Sequence, residues 1–362
     1  MEKRIENKEE IKEVGFNIEE KERAGSFIQS DNKIILTRSL QEGVEVLPID
    51  KAIEIYPEIK DKYWGKGFEE IGIDFEKKTE GGYFIRIKKD TKTIFPVQAC
   101  LYLKSKKFKQ KVHNIVVIEE NAQAHLITGC TSAKDTEDAY HLGISEFFVH
   151  KGGFLNFTMI HSWKENIEVE PKSVAVVEEN GIFVSNYINL KPVKKIVMYP
   201  TAILEGKNSR ARFNSIILSF PDSYHDIGSR CILANSGTSA EIISRSVSYG
   251  GIVIARGHIK STFPSTRGHL ECKGLLLSEK GIIHAIPELE TLYQDVELTH
   301  EASIGKIKKE EIEYLASRGI SEEEAQSLII RGFMNVEILG LPDMLEKEIN
   351  KILNKVKNAS KI

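Results

Sequence analysis

EENAQAHLI (119–127), EENGIFVSN (178–186) and SEKGIIHAI (278–286) are variants of one phrase: charged residues, an Asn or Gly, then an apolar run. The chain between them has the same texture. Short runs rich in Val, Ile and Phe follow one another, among them IVVI (115–118), AHLITGC (124–130), SVAVV (173–177), NSIILSF (214–220), EIISRSV (241–247) and GLLL (274–277). These read as strands of about four to seven residues. Turn formers mark the gaps at Asn121, Gly152, Gly181, Asn208, Gly237, Gly251, Gly268 and Gly281, spaced by about 14 residues or twice that. A sandwich or barrel gives the same succession of strands and turns. The recurrent phrase, and the lack of a helical crossover pattern between 150 and 290, favour a parallel β-helix.

The flanks differ from this core. Residues 1–95 mix charged helical patterns with apolar pieces, and KAIEIYPEIKDKYW (51–64) carries Ile53, Ile55, Tyr56 and Ile59 at near-helical spacing. A small N-terminal α/β region is expected there, followed by the β-helix over 96–302. From 303 to 362 the pattern is helical again. IKKEEIEYLASRG (307–319) ends on a C-cap-like Gly319, Ser321 and Glu324 form a capping box, and Pro342-Asp343 opens another helix. Leu328, Ile329, Phe333 and Met334 form an apolar stripe, fit to close the solenoid's end or to dock a partner.

Composition narrows the function. With Lys+Arg 50 against Asp+Glu 53 the net charge is -3, so no global positive field draws the chain to nucleic acid or an acidic membrane. The basic patch GKNSRARFNS (206–215) reads as a solvated coil face. No apolar run approaches the roughly 18 residues of a membrane span, and MEKRIENKEEIKEVGF has charges where a secretory signal is apolar. A cytoplasmic location is expected. Cys100, Cys130, Cys231 and Cys272 lie far apart without a C-x-x-C pair, which argues against a zinc-finger site or a disulfide framework.

The usual phosphate-loop, dinucleotide, zinc-protease and hydrolase signatures are missing, so the chain is not expected to hydrolyse ATP itself. A late cluster stands out: Cys272, His284, Glu288, Glu290, His300 and Glu301. Thiolate, imidazole and carboxylate on adjacent coils suit a transiently held metal ion or iron–sulfur cluster. The plainer reading makes Cys272 core, His284 a strand packing residue and Glu301 a solvated charge. Cys130, in ITGCTSAKD, reads as a strand-end thiol within reach of solvent or a donor enzyme, or else as a buried residue.

Longer strings carry a resemblance. MIHSW (159–163), EGKNSRARF (205–213), NSGTSAEIIS (235–244), ECKGLLL (271–277), HAIPELE (284–290) and HEASIGKI (300–307) with SRGISEEEA (317–325) are similar to the SufB/SufD family of iron–sulfur cluster assembly proteins, across about residues 110–340. KERAGSFIQSD (21–31) and EGVEVLPIDKAIEIYPEIKDKYW (42–64) look like the SufB branch. The resemblance implies a right-handed parallel β-helix with helical ends, acting as a scaffold rather than an enzyme. It implies pairing with a second SufB-type chain through the β-helix and with a SufC-type ABC ATPase through the C-terminal helices.

Carried over by motif, Cys272, Glu301 and His300 match the residues that would hold a transient [4Fe–4S] or [2Fe–2S] cluster at the chain–chain interface. Cys130 matches a cysteine that takes up sulfur from a cysteine desulfurase, and apo iron–sulfur proteins would receive the product. SufD-like sequences tend to have Gly where this chain has Glu301, which points to a SufB-like role. A chain this short fits a minimal system in which one SufB-like protein forms a homodimer. The alternatives are a SufD-like structural partner without its own cluster and a β-helix enzyme acting on polysaccharide. Two tryptophans in the whole chain speak against the latter.

Overall fold

The computed structural model describes residues 8–18, 22–74 and 78–334; the helix expected from Pro342 lies outside them. The repeated phrase is a corner. Asp90, Asn121, Gly152, Asn180, Asn208, Gly237 and Ser265 all have positive φ, at intervals of about 30 residues. Asn, Asp and Gly tolerate this left-handed backbone at little cost. Successive corners touch: the N–H groups of Asn121, Asn180 and Asn208 donate to the carbonyls of Lys151, Lys207 and Ser236 at 2.9, 2.9 and 3.0 Å. A Cβ on Gly152 or Gly237 would lie 2.5 or 2.2 Å from the Asn121 or Asn208 Oδ1, and with φ of 66° and 71° this favours glycine at both. The spacing of about 14 residues is one strand with its turn, because Gly251 and Gly281 lie at the opposite corner.

The N-terminal part comprises α1 (Lys8–Glu13), β1 (Gly25–Ser30), β2 (Lys33–Ser39), β3 (Val44–Pro48), α2 (Ile49–Ile55), α3 (Ile59–Lys62), α4 (Lys66–Glu70) and β4 (Tyr83–Ile87). Alternating strands follow: β5 (Val97–Leu103), β6 (Lys109–Ile118), β7 (Gln123–Ser132), β8 (Tyr140–Val149) and β9 (Phe154–Ser162). The next two coils have split second strands, β10 (Glu168–Val169) with β11 (Lys172–Val177) after Pro171, then β12 (Ile182–Asn189), and β13 (Lys195–Met198) with β14 (Thr201–Leu204) around Pro200. The last coils are β15 (Arg210–Ser219), β16 (Tyr224–Leu233), β17 (Ser239–Ser248), β18 (Ile252–Ser261), β19 (Thr266–Leu276), β20 (Ile282–Thr291) and β21 (Val296–Gly305). Two helices, α5 (Lys309–Ala316) and α6 (Glu322–Met334), complete the described chain.

One strand of each coil stacks into a first sheet, in the order β2-β1-β5-β7-β9-β12-β15-β17-β19-β21, and the remaining strands form a second, from β3 and β4 at one end to β18 and β20 at the other. Pairing from β5 onward is parallel, so the chain is a parallel β-helix of about eight turns. Its strands are longer than the apolar runs suggest, because register carries polar outward residues into the ladder; β17, SAEIISRSVS, is paired along its whole length. The sheets continue across residue 95, with β1 parallel to β5 and β4 parallel to β6.

Inward side chains of both sheets form the core. Phe147 packs on Phe157 and Phe183 at ring distances of 4.7 and 5.3 Å, and burying each such ring stabilises by about 1.5–3 kcal/mol. In the C-terminal coils the interior holds Ala240, Ile242, Ile259, Leu270 and Cys272.

The outer faces are partly covered. On the second sheet α2–α4 are fixed by Glu146, whose carboxylate accepts the Gly65 and Gly67 N–H groups at 2.6 and 2.9 Å and sits 2.8 Å from His113 Nε2. On the first sheet α1 and α6 bury Ile11, Val14, Ile330 and Met334 with Ile188 and Val247. Met334 is therefore part of the packing, and of the expected stripe only Leu328, at 44%, is exposed.

The two ends differ. At the N-terminal end β1–β2 and β3–β4 are antiparallel, and Val46 of β3 is tied to β2 by its N–H to Ser39 Oγ and by Thr37 Oγ1 to its carbonyl. At the other end β20 and β21 each pair on one side only among the described residues.

Candidate functional site

Cys272 lies on β19, where alternation decides each neighbour's direction. Leu270 and Cys272 are buried in the interior core, whereas His269, Glu271 and Lys273 point to the outer face. Cys272 is 2% exposed. Burial pushes its thiol up to about 11; Arg245 pulls the other way and Glu271 adds to the rise. In the single chain it is a protonated thiol at neutral pH, one step short of the thiolate that binds metal.

The next coil brings the other two candidates alongside, on different faces. In the β19–β21 register Leu270 pairs with His300, Glu271 with Glu301 and Cys272 with Ala302. Partners in a parallel register share a face. His300 is thus on the interior face with Cys272, one strand over and two residues along, and it is exposed because β21 is the last strand of its sheet among the described residues. Glu301 is on the outer face, with Lys273 Nζ 3.2 Å from its Oε1. Lys273 also binds Glu271, which is paired in turn with Arg245. Burial alone would raise the Glu271 carboxyl, but these two cations hold it below the usual range.

The rest of the late cluster is elsewhere. His284, Glu288 and Glu290 lie on the outer face of the second sheet, where Glu290 pairs with Lys260 at 2.8 Å and His258 at 3.4 Å. They do not converge on Cys272. Among the described residues no group of three or more His, Cys, Asp or Glu side chains forms a metal-holding set. Cys272 and His300 fit as ligands contributed by one face; Glu301 does not join them in this arrangement.

Cys130 is not at a strand end. β7 runs on to Ser132, and Cys130 points into the core at 1% exposure, between Leu101 and His161 in register. Burial drives its thiol well above the usual range, with Cys100 adding to the effect. His161 beside it bonds Tyr187 through Nδ1 at 3.0 Å. Burial holds the interior imidazoles neutral: His141 is lowered to about 3, His225 to about 4, and His161 well below its normal value. Cys100 and Cys231 are likewise buried, their thiols pushed up by desolvation.

The residues missed in the sequence are Arg245, Glu271 and Lys273. The signal was present in E-C-K: if the cysteine points inward on a strand, both neighbours must point out.

A parallel solenoid defines the class: a β-helix that carries a buried thiol and an imidazole on one inner face in its last described coils. Comparison with known proteins places it more narrowly. Residues 101–333 match the family described as SUF system FeS cluster assembly, SufBD core domain. The chain is 50% identical to an iron–sulfur cluster assembly SufBD family protein of Archaeoglobus fulgidus, covering 96% of this chain and 94% of that one. A SufBD family protein of Methanothermobacter thermautotrophicus is 43% identical, over 96% of this chain and 86% of its own length. The iron–sulfur cluster assembly protein SufB of Bacillus subtilis is 30% identical, over 92% and 74% respectively. The chain belongs to the SufBD family of iron–sulfur cluster assembly proteins.

Proposed function

We propose that this protein is a SufB-like scaffold on which a transient [4Fe–4S] or [2Fe–2S] cluster is assembled between two copies of the chain and passed to apo-proteins. The observation that carries the reading is the position of Cys272 and His300: one interior face, in the last coils, beside two strand edges left unpaired among the described residues. Each of those strands, β20 and β21, is ten residues long. An unpaired edge of that length is a template for pairing, and a twofold junction would set two Cys272 and two His300 around one cluster. The cluster is the cargo; Cys272 supplies thiolate sulfur once its proton leaves, and His300 supplies a second ligand or orients one.

The remaining partners follow from the same reading. α5 has no buried residue and exposes Tyr314 at 59%, a surface suited to a SufC-type ATPase that supplies the hydrolysis this chain lacks. Cys130 would accept sulfur from a cysteine desulfurase, which requires the interior to open, since the thiol is covered in the single chain.

The test is anaerobic reconstitution with ferrous iron and sulfide, comparing wild type with Cys272→Ser by visible absorbance, iron content and gel filtration. The wild type is expected to gain a thiolate–iron band as a dimer and the variant to lose it. Equal iron and equal absorbance in both would overturn the reading.

A further inference from the structure

Resting on that reading, we propose that the lysine-bearing loop 104–109, between β5 and β6, is the docking surface for the sulfur donor, a protein that it recognises by an acidic patch. Only one way from outside to Cys130 is short. Behind the first sheet the chain after α1 closes the approach: a Cβ on Gly129 would lie 2.4 Å from Val14 Cγ2, so the two segments are in contact there. Across the interior, α2–α4 cover the outer face of the second sheet, packing Phe68 with Leu142 and Ile144. Along β7 itself, the strand start at Gln123 is about 23 Å of extended chain from Cys130, whereas the strand end at Ser132 is about 7 Å away. A donor therefore has to approach at the corner after Ser132.

That corner adjoins the densest run of lysines in the chain. KSKKFKQK (104–111) has five lysines in eight residues and no acid, in a chain of net charge -3. The loop leaves β5 at Leu103, which pairs with Ser132, so it starts directly beside the corner. Its backbone is fixed: the Asp31 carboxylate accepts the Lys104 N–H at 2.8 Å and the Ser105 hydroxyl at 2.7 Å, and the Lys107 N–H donates to the Glu137 carbonyl at 2.8 Å. The side chains are left to solvent. Lys106 meets Glu137 at 3.3 Å, whereas the exposed Lys107, Lys109 and, one coil on, Lys134 form no ion pair among the described residues. A rigid backbone carrying unspent cations is preorganised for an anionic surface. Asp135, Glu137 and Asp138 interrupt the patch, and Phe108 packs against the core instead of offering a ring to a base. That pattern fits a protein surface, whose charges can be matched one by one, better than the evenly spaced phosphates of a nucleic acid.

The test uses the full-length chain and a purified cysteine desulfurase. Binding is followed by biolayer interferometry at two NaCl concentrations, chosen so that the Debye length shortens from about 14 to about 6 Å. Persulfide on Cys130 is read by mass spectrometry after L-cysteine is added. Lys107→Glu/Lys109→Glu/Lys134→Glu should raise the dissociation constant about tenfold or more at low salt, less at high salt, and lower the persulfide in step. Lys107→Arg/Lys109→Arg/Lys134→Arg, which keeps the cations, should bind as wild type. Lys89→Glu/Lys151→Glu/Lys207→Glu makes the same charge change at the corner of Asp90, Gly152 and Asn208, and should leave binding within about twofold. The corresponding Lys→Gln triple replaces the first variant if its melting temperature falls. No binding to wild type, wild-type binding in the first triple, or an equal loss at the other corner overturns the inference. Tighter binding of a single-stranded RNA, abolished by the same triple, also overturns it and assigns the loop to nucleic acid. Cys130→Ser should bind the desulfurase as wild type and form no persulfide there. If the wild type carries its persulfide on another residue, the sulfur-acceptor reading fails, while the docking surface is judged by the binding data alone.

Discussion

The thiol of Cys272 should be nearly silent toward alkylation in the folded single chain, and the size of the effect follows from its burial. An ordinary thiol with the normal value of 9.0 is about one-tenth thiolate at pH 8, whereas one raised to about 11 is about one-thousandth thiolate. Charge state alone therefore slows the reaction about a hundredfold, and 2% exposure slows it further. The assay is iodoacetamide labelling of the cluster-free protein across pH 7 to 10.5, quenched at intervals and mapped by mass spectrometry, with guanidinium-unfolded protein as the reference. The rate at Cys272 should climb about tenfold per pH unit throughout and show no plateau near pH 9. A plateau near pH 9, or a rate at pH 8 within tenfold of the unfolded chain, would refute the inward placement of this side chain.

Two further outcomes concern the fold. His141 and His225 are buried and neutral, lowered to about 3 and about 4, so between pH 6.5 and 4 the unfolded chain takes up protons that the folded chain refuses. Stability should fall as pH drops through that window, by about 1.4 kcal/mol per pH unit for each imidazole, as read by urea unfolding at a series of pH values; a flat profile between pH 6 and 5 would contradict their burial. Glu146→Ala removes the acceptor of the Gly65 and Gly67 N–H groups and the partner of His113 in a site of 0% exposure, so it should cost about 3–5 kcal/mol in urea unfolding. A loss under about 1 kcal/mol would mean that Glu146 does not fasten α2–α4 to the second sheet.

Much of the fold was legible because corner chemistry is local. Asn121, Asn180 and Asn208 need only their own backbone conformation to declare a turn, and their recurrence announces a coil. Site geometry is not local in this sense. Whether Glu301 or His300 shares a face with Cys272 depends on the parity of the register across a whole coil, and coils here vary in length, so one residue more or less exchanges the two. No composition or spacing within HEASIGKI carries that parity. Cys130 illustrates the same limit: its place in mid-strand is set by pairing with β5 and β9, while ITGCTS read alone looks like the approach to a turn. Met334 differs again, since an apolar stripe on α6 cannot say whether the first sheet's outer face or another protein will cover it.

The ends of the coil bear on how many copies could join. A solenoid raw at both ends is a monomer for a filament, each copy offering a template to the next without closure. At one end Ser39 and Thr37 side chains occupy the backbone groups of Val46, whereas at the other β20 and β21 each pair on one side only among the described residues. If copies joined through that second end alone, as the proposed function requires, growth would stop at two, and anything built at the single junction would be made one at a time.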